Sequence, residues 1–117
     1  MKLRLHNNSL RLRLSQSDVT RLHDTGKVEE VVVFEPGNEL VYAIETGALH
    51  EATATFENSN IRVTLPTRAA MQWIESDQTG IEASTGTLRL LIEKDFQCLH
   101  REPAAGEDAF PNPLAST

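Results

Sequence analysis

A chain of 117 residues, 39% apolar and 24% charged, has room for one domain and not comfortably for two, and it is long enough to fold without metals or disulfides. Its formal charge of −6 argues against unaided binding to DNA or to an anionic membrane, both of which repel it at long range. The single cysteine excludes an internal disulfide, and no apolar run approaches a signal peptide or the ~20 residues of a membrane span, so a soluble cytoplasmic protein is expected.

Leu3 and Leu5 alternate with Lys2 and Arg4, and Leu10, Leu12 and Leu14 alternate with Arg11 and Arg13. Period two with one apolar side predicts half-buried strands. His6-Asn7-Asn8-Ser9 between them is turn material, so the start reads as a hairpin, with one long bent strand as the alternative. Ser15 or Ser17 can cap a helix that Asp18 favours and Gly26 ends. VEEVVVFE (28–35) is apolar at both parities from Val31 to Phe34, which predicts a central strand covered on both sides. Pro36-Gly37-Asn38 turns the chain into LVYAIE (40–45).

HEATATFE (50–57) alternates, with Ala52, Ala54 and Phe56 to one side. IRVTLP (61–66) follows an Asn-Ser-Asn turn. Thr67 is expected to cap a second helix with Ala69, Ala70, Trp73 and Ile74 as its apolar stripe. IEAS (81–84) and TLRLLIEKDF (87–96) are the closing strands. The sum is an α+β fold: a mainly antiparallel sheet of about six or seven strands with two short helices, near 16–25 and 67–76. Such a sheet either curls toward a barrel or carries its helices on one face. No internal repeat is visible. Residues 1–102 are expected to form the domain, and 103–117 a loosely held tail that Phe110 could pin.

The charge is segregated. The first 14 residues hold four cations and no acid, and the other 103 hold seven cations and all 17 acids. The hairpin register sets Arg4 opposite Arg11 and Lys2 opposite Arg13, which is destabilising without a counter-charge. An acidic neighbour within the fold is one solution, with Glu29, Glu30, Glu35, Glu45, Glu51 and Glu57 available. An anion site is the other. Arg4, Arg11 and Arg13, joined by Arg62 and Arg89 from later strands, could grip a phosphate or carboxylate with their guanidinium forks.

Cys98 and His100 share a face if the last strand runs that far, as two ligands of a metal or as a thiolate beside a base. No second cysteine accompanies them, so the plain reading is Cys98 as packing and His100 as surface. Glu93 and Asp95 share parity as paired acid–base carboxylates do, although Lys94 between them suits a solvated strand end. Phosphate-binding glycine loops, HExxH, GxSxG and dinucleotide fingerprints are absent.

Four stretches, NSLRLRLSQSDV, WIESDQTGIEA, LRLLIEKDFQCLH and the terminal FPNP, resemble a family of short uncharacterised bacterial proteins, a domain of unknown function. RLRLSQSDV and IEKDFQCL are the more specific parts. The resemblance covers nearly the whole chain. It implies a stand-alone bacterial domain and brings no activity, cofactor or catalytic residue. The leading expectation is a non-catalytic interaction or structural module, a homodimer joined through an exposed edge strand, with the C-terminal tail as the alternative cap of that edge. The alternatives are a protein binding a small phosphorylated or carboxylated ligand, an enzyme acting on one, and a metal protein using Cys98 and His100. No cofactor is expected.

Overall fold

The computed structural model describes residues 1–96. It opens with a hairpin, β1 (Lys2–His6) and β2 (Ser9–Leu14). Asn7 and Asn8 stand at φ 46° and 57°. Two successive left-handed residues make the turn whose twist matches the strands, and asparagine tolerates that region better than most side chains. The register follows: Leu3 faces Leu12 and Leu5 faces Leu10, while Arg4 faces Arg11 and Lys2 faces Arg13.

Ser15 caps α1 (Gln16–Thr25). The Asp18 N–H donates to Ser15 Oγ, and the Ser15 N–H donates to the Asp18 carboxylate at 3.0 Å. This reciprocal pairing satisfies two amides that the first turn leaves open. Gly26 ends the helix at φ 79°, donating its N–H to the Leu22 carbonyl at 2.9 Å.

The chain continues through β3 (Lys27–Glu35), β4 (Asn38–Gly47), β5 (Thr53–Glu57) and β6 (Asn60–Pro66). After α2 (Thr67–Ile74) come β7 (Gly80–Thr85) and β8 (Leu88–Lys94). Thr67 begins α2 but does not cap it; its hydroxyl donates to the Gly47 carbonyl at 3.1 Å.

The α+β class and both helices stand. The expected single sheet does not. The described residues form two four-stranded sheets, ordered β1-β2-β8-β7 and β3-β4-β6-β5, and no closed barrel. Nor are they purely antiparallel: β2 runs parallel to β8, and β4 to β6. The reason is that each helix carries the chain from one sheet to the other. The strands meeting in each sheet's middle therefore come from hairpins far apart in sequence.

The connectivity also contains a repeat that the sequence does not display. Each half reads hairpin, helix, hairpin. Exchanging β1-β2-α1-β3-β4 with β5-β6-α2-β7-β8 turns one sheet's order into the other's. The registers correspond as well. Leu12 beside Ile92 in the first sheet matches Val63 beside Ile44 in the second. Asn7 and Asn8 match Asn58 and Ser59, which also take positive φ, 51° and 61°. Leu22 matches Trp73, and both are fully buried.

Both sheets share one core. Leu10, Leu12, Leu14, Leu90 and Ile92 enter it from the first sheet, and Val28, Ile44, Ile61, Val63 and Leu65 from the second. Full burial of each such side chain favours folding by about 1.5–3 kcal/mol. Leu22, Ala70 and Trp73 plug the end where α1 and α2 lie. Lys94 roofs this plug, its Nζ 5.9 Å from the centre of the Trp73 ring.

One strand contradicts its sequence reading. The sequence predicts β3 to be central and covered on both sides, yet among the described residues it hydrogen-bonds to β4 alone. Val31, Val32, Val33 and Phe34 are 48%, 40%, 60% and 69% exposed. An apolar run at both parities marks a strand that wants cover on both faces; the single described chain does not supply it.

Candidate functional site

The outer face of the first sheet is the basic one. Inward Leu10, Leu12 and Leu14 force Ser9, Arg11 and Arg13 outward. Register then places Arg4 beside Arg11, Lys2 beside Arg13 and Arg89 beside Ser9 on that same face. Of the candidate anion-binding residues, Arg4, Arg11, Arg13 and Arg89 are thus brought together. Arg62 is not: it lies on the outer face of the second sheet, level with Thr55 and Ala43.

The counter-charge comes from an unforeseen place. Glu93, beside Arg13 across the parallel β2–β8 pair, lies 2.9 Å from Arg11 Nε and 3.9 Å from Arg13 Nε. The Arg11 approach is an ion pair and not an aligned hydrogen bond. Lys2 Nζ meets Asp95 at 3.0 Å. Glu93 and Asp95, considered above as acid–base groups, therefore stand as partners of cations. The pseudo-equivalent of Arg11–Glu93 is Arg62–Glu45, at 3.7 Å. Arg4 and Arg89 have no ion-pair partner among the described residues.

The face carries five cations, Lys2, Arg4, Arg11, Arg13 and Arg89, against Glu82, Glu93 and, at its end, Asp95. The opposite outer face carries Glu29, Glu39, Glu45 and Glu57 against Lys27 and Arg62. The molecule is acidic overall and electrically two-sided. At the β1–β2 turn a recess of about 100 Å³ is lined by Arg4, His6, Ser9 and Arg11. Guanidinium groups so placed can bind an oxyanion, with Glu93 competing for Arg11.

A second cluster was not anticipated. The Met1 ammonium lies 2.8 Å from Asp18 Oδ2 and 2.7 Å from Glu30 Oε1. The Tyr42 hydroxyl donates to Glu30 Oε2 at 2.8 Å. Burial works against the ammonium, but the bonds to Asp18 and Glu30 outweigh it and raise its pKa above the usual 8.0. Burial likewise opposes the Asp18 charge, yet the ammonium and the Ser15 bonds hold it below the usual carboxylate range. The ammonium bond lowers Glu30 against a smaller effect of burial. Burial, then the Glu30 bond, pushes Tyr42 up to about 12. These shifts come from burial and from pairing among Met1, Asp18, Glu30 and Tyr42. The cation is the N-terminal amine, which no side-chain motif announces.

Among the described residues, the end of the sandwich opposite the helices is open. Leu5, Leu10, Leu40, Ala54, Thr55, Phe56, Ile61 and Leu88 line a cleft of about 430 Å³ between the sheets there. Thr55 supplies its one polar side chain. Each half contributes its equivalents: Leu5 with Phe56, Leu10 with Ile61, Leu40 with Leu88.

Cys98 and His100 lie outside the described residues. Among the described residues no group of three or more His, Cys, Asp or Glu is placed to hold a metal ion. No described helix is long and apolar enough to cross a membrane.

Comparison with known proteins adds one finding. A family model described as a family of unknown function, DUF7009, matches residues 1–114. The chain belongs to that family. The resemblance to a domain of unknown function is thereby supported. No curated protein matches, and no solved structure matches.

Proposed function

We propose that this chain is an interaction module that self-associates along β3. The observation carrying this reading is the exposed run Val31–Phe34 on a strand whose only ladder partner among the described residues is β4. Such an edge offers open backbone donors and acceptors together with β-branched side chains, which is what a second strand recognises. A second copy presents the same edge. Antiparallel pairing centred on Val31 sets Glu29 of each copy level with Val33 of the other, and no like charges meet up to the register shift between Val33 and Glu35. The paired sheets would extend to eight strands and cover the exposed valines.

The test is sedimentation across a concentration series, with Val33→Lys as the variant. The wild type should run as a dimer whose melting temperature rises with concentration, and Val33→Lys as a monomer that keeps its circular dichroism spectrum and melts independently of concentration. A wild type that stays monomeric at its highest attainable concentration would end this reading.

A second reading is favoured by the four arginines on one outer face. A small phosphorylated or carboxylated ligand seated at Arg4, Arg11, Arg13 and Arg89 would complete the charge balance that Glu93 only begins. Thermal melts with phosphate, pyrophosphate and dicarboxylates test it. At 100 times its Kd a ligand adds about 2.7 kcal/mol. Arg4→Gln should remove that shift without unfolding the protein, and a flat panel argues for ion pairing alone.

A further inference from the structure

We infer that the open end of the sandwich binds a single-chain anionic amphiphile, its apolar tail between the sheets and its head group at Arg4 and His6. For the head group alone this rests on the basic-face reading above.

The two ends of the sandwich differ in kind. At one end Leu22, Ala70 and Trp73 fill the gap between the sheets and are fully buried. At the other end no described element fills it. The gap there holds about 430 Å³ walled almost wholly by aliphatic and aromatic side chains. That volume lies within the range of small-molecule sites. Leu5 and Phe56 at its rim are 60% and 70% exposed. Side chains this apolar at the lip of a cavity lower the free energy of any apolar chain that covers them.

The rim selects among apolar occupants. Leu5 stands between Arg4 and His6, which point to the opposite side of β1 and line the recess with Ser9 and Arg11. Among the described residues β1 is an edge strand, bonded only to β2, so no further described strand blocks the way round it. A tail packed against Leu5 can therefore carry its head group over that edge to Arg4. A carboxylate or a phosphate satisfies the guanidinium equally; a neutral or cationic head does not. The narrow cleft between two sheets suits one chain and not a bilayer.

The experiment uses the full chain with dodecanoate and dodecyl phosphate below their micelle concentrations and dodecanol below its solubility limit, read by isothermal titration and thermal melts. The two anions should bind at one saturable site per chain, and dodecanol at least threefold more weakly. Phe56→Ser and Leu88→Ser, checked for folding by circular dichroism, should each weaken dodecanoate at least tenfold. Arg4→Gln should weaken the anions and leave dodecanol unchanged. Inorganic phosphate bound without any dodecanoate preference would support the basic face and overturn the amphiphile site. No binding, binding indifferent to Phe56→Ser and Leu88→Ser, or dodecanol bound as tightly as dodecanoate would overturn the proposal. Preference between carboxylate and phosphate heads identifies which source the site serves.

Discussion

The Met1 ammonium sits 2.8 Å from the carboxylate of Asp18, a residue only 8% exposed. Asp18 also closes the capping box of α1. One carboxylate thus ties the start of the chain to the start of a helix. Asp18→Ala should cost about 1 kcal/mol for the lost cap and more for an ammonium left half paired. A total of about 2–3 kcal/mol is expected in urea unfolding. Asp18→Asn, which keeps a capping oxygen, should cost less. Equal losses would mean that the capping oxygen contributes nothing, and an Asp18→Asn without loss would mean that the ion pair contributes nothing.

The same cluster sets the pH dependence. Asp18 and Glu30 are lowered in the folded state, so their contribution is present above the ordinary carboxylate pKa and is lost as pH falls through the folded values. The ammonium is raised, so its contribution is complete below pH 8.0 and is lost as pH rises past it. Tyr42, at about 12, loses its share only between 10.0 and there. Stability should therefore plateau from about pH 5 to 8 and decline on both sides. Acetylating the amine should remove the decline just above pH 8 and lower the plateau. An unaltered profile after acetylation would contradict the pairing.

Trp73 should be the costliest single truncation. It is fully buried, and Lys94 lies over its ring. Trp73→Ala should destabilise by about 3–5 kcal/mol and Leu22→Ala by about 2–4 kcal/mol, measured by chemical denaturation. A loss under about 1 kcal/mol at either site would mean that the helix end of the core is not packed as described.

Glu93 and Glu45 hold equivalent positions with unequal loads. Glu93 faces two arginines, Glu45 one at longer range. These groups are partly exposed, so the effects are small. Glu93→Gln should cost about 1 kcal/mol at low salt, Glu45→Gln less than half of that, and both should shrink at high salt. Double-mutant cycles with Arg11→Gln and Arg62→Gln measure the difference directly.

Ser59 takes φ 61°, a conformation that costs a non-glycine residue about 1–2 kcal/mol. Ser59→Gly relieves that strain and adds unfolded-state entropy of smaller size, so a gain of about 0.5 kcal/mol is expected. A lower melting temperature would mean that the Ser59 side chain makes a contribution of its own.

The local elements were readable because local physics makes them. Leu3 to Leu14 alternate so strictly that the first hairpin and its register follow, Arg4 against Arg11 included. Ser15, Asp18 and Gly26 delimit α1 by capping chemistry. What could not be read is long-range. Nothing in Leu10 or Leu90 says that β2 will lie parallel to β8, and so nothing named Glu93 as the counter-charge of Arg11. The run Val31–Phe34 spells cover on two faces but not who provides it. The repeat was hidden because the matched pairs, Leu22 with Trp73 or Leu12 with Val63, agree in burial and not in identity.

Each half places one hairpin in each sheet, so the halves are clasped and not merely adjacent. Neither has a core of its own, since β2 needs β8 and β4 needs β6. A chain cut between β4 and β5, near Ala48 to Glu51, would yield two fragments that are unfolded apart and ordered together. Such a pair is a ready-made complementation reporter, and the same geometry lets two intact copies exchange halves.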